Sequence, residues 1–70
     1  MTPNQKKLLK EFKDVRGANA VAMAPKVGLS NDYSQSICSG LAGRGYLEIT
    51  KAEGKYPMYR ITQKGKAAVK

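Results

Sequence analysis

Residues 28–47 read GLSNDYSQSICSGLAGRGYL, and this stretch decides the fold. Gly28 can adopt the positive φ that ends one helix, and Ser30 or Asn31 can cap the next helix with a side-chain oxygen. The residues that follow suffice for one helix, which the Gly-Arg-Gly sequence ends before a strand begins at Tyr46. The stretch therefore predicts two helices joined by a tight turn, with a strand directly after the second helix.

The second of these helices is predicted over residues 31–42 and is amphipathic. Its buried face recurs at helical spacing and consists of Ser34, Ile37, Cys38 and Leu41. The opposite face is polar, has Tyr33 on its flank, and contains Asn31, Asp32, Gln35, Ser36 and Ser39. Gly40 lies inside the helix, and we expect the backbone of another helix to approach closely there.

The residues before residue 28 predict two more helices. Thr2, Pro3 and Gln5 fit a capping box with proline at the first helical position, so the first helix should run over residues 3–15. Its apolar stripe is Leu8, Leu9, Phe12 and Val15. Asn19 can cap a second helix that ends near residue 27, and Pro25 predicts a kink or an irregular start in that helix.

The residues after the glycine pair alternate with a period of two and predict a β-hairpin. Leu47 and Ile49 share one face of the first strand. Tyr59 and Ile61 share the matching face of the second strand, after a turn at residues 52–54. Proline at residue 57 predicts that the second strand lies at the edge of the sheet. A final short helix, over residues 63–69, would be capped by the threonine at residue 62.

Length and charge indicate one small basic domain over residues 1–70. The chain has 13 Lys or Arg and 5 Asp or Glu, a net charge of +8, which favours a polyanionic partner. No apolar run approaches the ~20 residues of a membrane span, and the N-terminus lacks the apolar region of a secretory signal. We therefore expect a cytoplasmic protein with no membrane partner, associated with the nucleoid if the source is prokaryotic.

The chain has one cysteine, Cys38, and no histidine. An intramolecular disulfide, a Cys/His zinc site and histidine-based acid–base chemistry are therefore excluded. Cys38 lies on the apolar helix face, where a cysteine is expected to be a small core residue. We predict that the protein is not an enzyme, with no catalytic residues, no metal site and no cofactor.

Two segments carry a resemblance to a known family. Residues 23–47 read MAPKVGLSNDYSQSICSGLAGRGYL and resemble the helix-turn-helix and first wing strand of winged-helix transcription regulators. Residues 59–66 read YRITQKGK and resemble the second wing strand with its terminal Thr-x-x-Gly. The DNA-binding core of MarR-like regulators is the most similar. The resemblance implies an α+β winged helix-turn-helix, with a three-helix core, a two-stranded β-hairpin wing and a short C-terminal helical turn.

In that family the third helix enters the major groove and the wing reaches the flanking backbone or minor groove. The resemblance therefore implies a small transcriptional regulator that binds double-stranded DNA, with specific or semi-specific reading, and that acts as a homodimer on two half-sites. Asparagine and glutamine can pair with adenine, and lysine can neutralise phosphates. The candidate DNA-binding residues are Ser30, Asn31, Tyr33, Gln35, Ser36, Ser39, Arg44, Lys51, Lys55 and Arg60.

Two alternatives stay open at this point. The exposed face of the third helix has little charge, so the scaffold could instead be a protein–protein interaction module with an acidic protein partner. The chain could also bind RNA or single-stranded nucleic acid, with its 4 tyrosines as stacking platforms. The second alternative is weaker because Tyr59 is predicted to point into the core.

Overall fold

The computed structural model describes residues 1–52 and 54–70, which form helices and strands in the predicted order. The elements are α1 (Pro3–Glu11), β1 (Ala18–Asn19), α2 (Ala20–Val27), α3 (Asn31–Gly43), β2 (Leu47–Lys51), β3 (Met58–Ile61) and α4 (Gln63–Ala68). The predicted α+β class is confirmed, with a third strand added to the hairpin. The predicted turn at residues 52–54 includes Glu53, which lies outside the described residues.

Helix α1 begins as predicted but ends earlier. The Gln5 amide donates to Thr2 Oγ1 at 3.2 Å, and the Thr2 amide donates to Gln5 Oε1 at 3.1 Å, which completes the capping box. The predicted extension to Val15 is wrong, because the helix ends at Glu11 with Phe12 as its C-cap. The chain must turn there to bring β1 to the sheet, while Val15 still packs against the core.

Helix α2 starts regularly at Ala20, because Asn19 Oδ1 accepts from the Ala22 amide at 2.8 Å. Of the two predicted effects of Pro25, a kink or an irregular start, the irregular start does not occur, and the helix continues through Pro25. Proline removes one backbone hydrogen bond, while burial of neighbouring side chains on the same helix favours the helical path. Gly28 ends the helix in the left-handed region, with φ 69°, as expected.

The sheet has the order β1-β3-β2, with both pairs antiparallel. Strand β1 was not predicted, since its two residues are too short to show a period. Because β1 pairs with β3, the strand after Pro57 is central, and the predicted edge position is wrong. The predicted pairing is confirmed, since Leu47 lies opposite Ile61 and Ile49 opposite Tyr59, but Leu47 is buried whereas Ile49 is 53% exposed. The pairing shifts register after Ile49, where β2 extends beyond the core.

One core receives side chains from every helix and from the two long strands. Its largest fully buried members are Tyr59, Phe12, Leu8, Leu9, Met23, Leu41, Leu47 and Val69. The predicted buried face of α3 is confirmed at all four positions, and Ser34 Oγ donates to the Ala20 carbonyl at 2.7 Å. This buried bond holds α3 against the start of α2. The predicted close approach at Gly40 is wrong, because a Cβ there would meet no described atom within 4 Å.

Burial of Cys38 predicts a pH-dependent loss of stability. Burial raises the pKa of its thiol from 9.0 to about 12, so the unfolded chain ionises at a lower pH than the folded chain. The free energy of unfolding should therefore fall as pH rises between these values, by about 1 kcal/mol near pH 10. Urea unfolding of wild type and Cys38→Ala near pH 8 and pH 10 measures this, since other groups titrate alike in both. An identical pH dependence in the two proteins would contradict it.

Candidate nucleic-acid interface

The outward face of α3 is polar and accessible. Ser30 caps the helix, its Oγ accepting from the Tyr33 amide at 3.2 Å, and the hydroxyl hydrogen is left to donate elsewhere. The exposed residues at and beyond this cap are Ser30, Asn31, Asp32, Tyr33, Ser36 and Ser39. All but Asp32 are predicted DNA-binding residues, and each of them is exposed at the cap or along α3.

Gln35 is not on this exposed face. Its side chain is partly buried between α3 and β3, where Nε2 donates to the Tyr59 hydroxyl at 3.2 Å. Its Oε1 is buried and has no hydrogen-bond partner among the described residues. Gln35 lies one helical turn before the buried Cys38, so the core draws its side chain inward. The predicted exposed position of Gln35 is wrong, and its amide instead joins α3 to the sheet.

The junction of α3 and β2 is tied to the C-terminal segment. Thr62 Oγ1 donates to the Gly45 carbonyl at 2.6 Å, and Lys64 Nζ donates to the Arg44 carbonyl at 2.7 Å. Lys64 Nζ also lies 4.8 Å from the centroid of the Tyr46 ring. The contact from Lys64 uses the backbone carbonyl of Arg44, the C-cap of α3, and Arg44 is exposed. Arg44 is therefore a cation held at the C-terminal end of α3.

The wing contributes two further exposed lysines. Lys51 ends β2, and Lys55 lies in the connection to β3 with its Nζ 5.6 Å from the Tyr56 ring centroid. Arg60, on β3, forms an ion pair with Glu48 across the two strands. The carboxylate offsets the charge of Arg60, which weakens Arg60 as a candidate for a phosphate contact.

The described residues offer neither a membrane span nor a metal site. No helix within residues 1–52 and 54–70 is long and apolar enough to cross a bilayer. In the same part of the chain, no three His, Cys, Asp or Glu side chains come together as a metal-binding group.

Comparison with known proteins identifies the fold. No protein-family model matches the sequence, and no curated protein matches it. The solved PcaV transcriptional regulator from Streptomyces coelicolor matches with a TM-score of 0.85 and 22% identity, over 99% of this chain and 50% of that chain. A MarR mutant from E. coli, complexed with operator DNA, matches with a TM-score of 0.82 and 15% identity, over 99% of this chain and 51% of that chain.

A third similar structure is the transcriptional repressor CouR bound to a 23-mer DNA duplex. It matches with a TM-score of 0.80 and 24% identity, over 99% of this chain and 50% of that chain. The chain thus spans about half the length of the regulators it matches. Its fold is the winged helix of MarR-like regulators, and the resemblance seen in the two sequence segments is confirmed as a likeness of fold.

Proposed function

We propose that this chain binds double-stranded DNA and serves as the DNA-binding unit of a transcriptional regulator. The observation that carries the proposal is the exposed polar face of α3 on a winged-helix fold. In a helix-turn-helix, the second helix of the motif lies in the major groove with its N-terminal residues toward the bases. Two of the similar structures contain DNA, which supports the same use of the fold here.

The dimensions and chemistry of α3 suit this role. Its 13 residues span about 20 Å, and an α-helix fits the roughly 12 Å width of the major groove. Asn31 can donate to and accept from adenine, while the hydroxyls of Ser30, Ser36 and Ser39 can reach bases or phosphates. Asp32 lies in the first turn, where it complements the helix dipole but would repel a nearby phosphate. Base recognition by α3 therefore depends on its uncharged polar side chains.

Phosphate contacts in this arrangement come from the margins of α3. Arg44 stands at its C-terminal end, and Lys51 and Lys55 stand on the wing, all three exposed. Cations at these positions would hold the duplex while α3 occupies the groove. Gln35 acts indirectly, because its amide positions α3 against Tyr59 of the central strand.

The proposal predicts salt-dependent duplex binding. If three phosphates are neutralised, affinity should fall about fortyfold between roughly 50 and 200 mM salt. Arg44→Ala/Lys55→Ala should lower affinity about tenfold and reduce the salt slope by about two. Fluorescence anisotropy of a labelled duplex measures both quantities.

The matched control is Lys13→Ala/Lys66→Ala, which removes the same charge from exposed residues of α1's end and α4. It should change affinity for a single duplex less than about threefold. Equal losses in the two double variants, or affinity independent of salt, would contradict binding through α3 and the wing. Intact duplex binding by Arg44→Ala/Lys55→Ala would favour the protein-interaction alternative for this face.

Sequence reading and two-fold assembly belong to the same proposal and need a separate measurement. Selection of bound duplexes from a random pool should return a consensus, because Asn31 and the serines distinguish base edges. A consensus with two-fold symmetry would support a homodimer on two half-sites. A pool without any consensus would contradict specific reading.

A further inference from the structure

Most of the basic residues of the chain line one surface, which is formed by α1, α4 and the residues that follow each of these helices. Three shallow grooves of about 420, 410 and 330 Å³ run along it. The basic residues that line them, apart from the ion-paired Arg60 of the wing, are Lys6, Lys7, Lys10, Lys13, Arg16, Lys66 and Lys70. These are more than half of the 13 basic residues, and we call the surface formed by them the α1/α4 surface.

The grooves form one continuous basic strip. Lys13 and Lys66 line both the first and the third groove, and Lys70 lines both the second and the third. None of these cations forms an ion pair within the part of the chain that the structure describes. Asp14 is the acidic side chain among the lining residues. The positive charge of the strip is therefore available to a polyanion.

This strip and the outward face of α3 lie on different sides of the domain. Helix α1 turns Leu8 and Leu9 into the core, and α3 turns Ile37 and Leu41 into the same core. Their exposed faces consequently point away from the shared core in different directions. A duplex bound along α3 would therefore contact other side chains than those of the α1/α4 surface.

We propose that the α1/α4 surface binds the phosphate backbone of a second DNA duplex, so that one chain bridges two DNA segments. The first segment is the one held by α3 and the wing, and in that respect the inference rests on the proposed function. The strip consists mainly of lysine side chains, which contact phosphates, and lacks a row of Asn or Gln side chains that could read bases. The second duplex is therefore bound without regard to sequence.

The composition of the strip favours DNA over an acidic protein. A protein interface needs a buried apolar or aromatic anchor at its centre. The apolar residues that line the grooves are Pro3, Val15, Ile61, Ala67 and Val69. None of the exposed large apolar residues among those described, Met1, Tyr33 and Ile49, lines them.

The spacing of the lysines also suits a phosphate backbone. Lys6 and Lys10 lie four residues apart on one face of α1, and Lys13 follows in the turn beyond the end of the helix. The rise of about 6 Å along the axis from Lys6 to Lys10 lets their flexible stems reach neighbouring phosphates of one strand. Lys66 and Lys70 on the adjoining segment widen the same positive strip.

Bridging is tested with two duplexes at once. A biotinylated duplex is held on beads, and retention of a fluorescent second duplex is measured with the full chain, alongside anisotropy for single-duplex affinity. Wild type should retain the second duplex in proportion to bound protein. Lys13→Ala/Lys66→Ala should still occupy the immobilised duplex, with its affinity changed less than about threefold, but should retain at least about fivefold less second duplex.

The matched variant Arg44→Ala/Lys55→Ala separates this inference from the proposed function. It should lose single-duplex affinity and bridging together, since the first segment is no longer held. Thermal unfolding of both variants should match wild type, because all four side chains are exposed. If Arg44→Ala/Lys55→Ala binds a single duplex like wild type, the proposed function fails, whatever the bridging result.

Three results would overturn the bridging inference itself. The first is no retention of the second duplex by wild type while single-duplex binding is normal. The second is wild-type retention by Lys13→Ala/Lys66→Ala, which would assign bridging to two α3 faces of a dimer. The third is that polyglutamate binds this strip but displaces none of the second duplex. That result would assign the surface to an acidic protein.

Discussion

Replacing Gly65 by alanine is expected to lower the free energy of unfolding by about 3 kcal/mol, the upper part of the range for overpacking a well-filled site. Gly65 is buried in α4, and a Cβ there would overlap the Tyr46 carbonyl oxygen and lie 2.7 Å from Ile61 Cγ1. Backbone cannot give way as a flexible side chain can. A chain of 70 residues has about 4–10 kcal/mol of stability, so the loss is a large share of the total.

The same contact explains the Thr-x-x-Gly sequence at residues 62–65. Thr62 Oγ1 accepts from the Gly65 amide at 3.0 Å and so caps α4, while it donates to the Gly45 carbonyl. The threonine and the glycine together let the first turn of α4 lie directly on the α3–β2 junction. Gly65→Ala would therefore disturb the segment that sets Arg44 at the end of α3.

Gly40→Ala is the matched control. Gly40 also lies inside a helix, but a Cβ there would meet nothing within 4 Å among the described atoms. Alanine should raise the free energy of unfolding by about 0.5–1 kcal/mol, because it restricts the unfolded chain and favours helix. Urea unfolding followed by circular dichroism compares the two variants with wild type. Equal midpoints for Gly65→Ala and wild type would contradict the packing at this position.

Replacing Tyr59 by alanine is expected to cost about 4 kcal/mol, as for other large aromatic residues removed from a core. Tyr59 is 2% exposed, lies on the central strand, and pairs with Ile49 of β2 and Ala18 of β1. Its ring fills the space between the helices and the sheet, and its hydroxyl accepts from Gln35. Alanine would leave a cavity and a buried amide without its partner.

Tyr59→Phe separates the ring from the hydroxyl. It keeps the apolar volume and removes the hydrogen bond, so the expected loss is about 1 kcal/mol. Denaturant unfolding of the alanine and phenylalanine variants measures the two contributions by difference. If phenylalanine costs as much as alanine, the hydroxyl rather than packing dominates, and the assignment of Tyr59 as a core residue is contradicted.

Much of the helical structure could be predicted because it depends on residues close together in the chain. Thr2, Asn19, Ser30 and Thr62 each cap the helix that follows, through a side-chain oxygen that reaches an amide three residues later. The buried face of α3 follows from the spacing of apolar residues along one helix. Both signals act within one or two helical turns and need no other part of the chain.

The site was predicted less completely, because exposure depends on what packs nearby. The serines, Asn31, Tyr33, Arg44 and the wing lysines are accessible, as their positions indicated. Gln35 is drawn toward Tyr59, which is 24 residues away, and no local pattern reports that contact. Arg60 likewise meets Glu48 only because β2 and β3 pair in a particular register.

By itself the sequence determined the helices, their caps, the two long strands and the net positive charge, because these depend on local spacing and composition. Tertiary structure alone decided that residues 18–19 pair with β3 and that Ile49 lies beyond the core. It also decided that Gly65, rather than Gly40, faces a close neighbour, and that most basic residues collect along α1 and α4. The physical reason is that packing, pairing and surface charge depend on segments that are distant in the chain and adjacent in space.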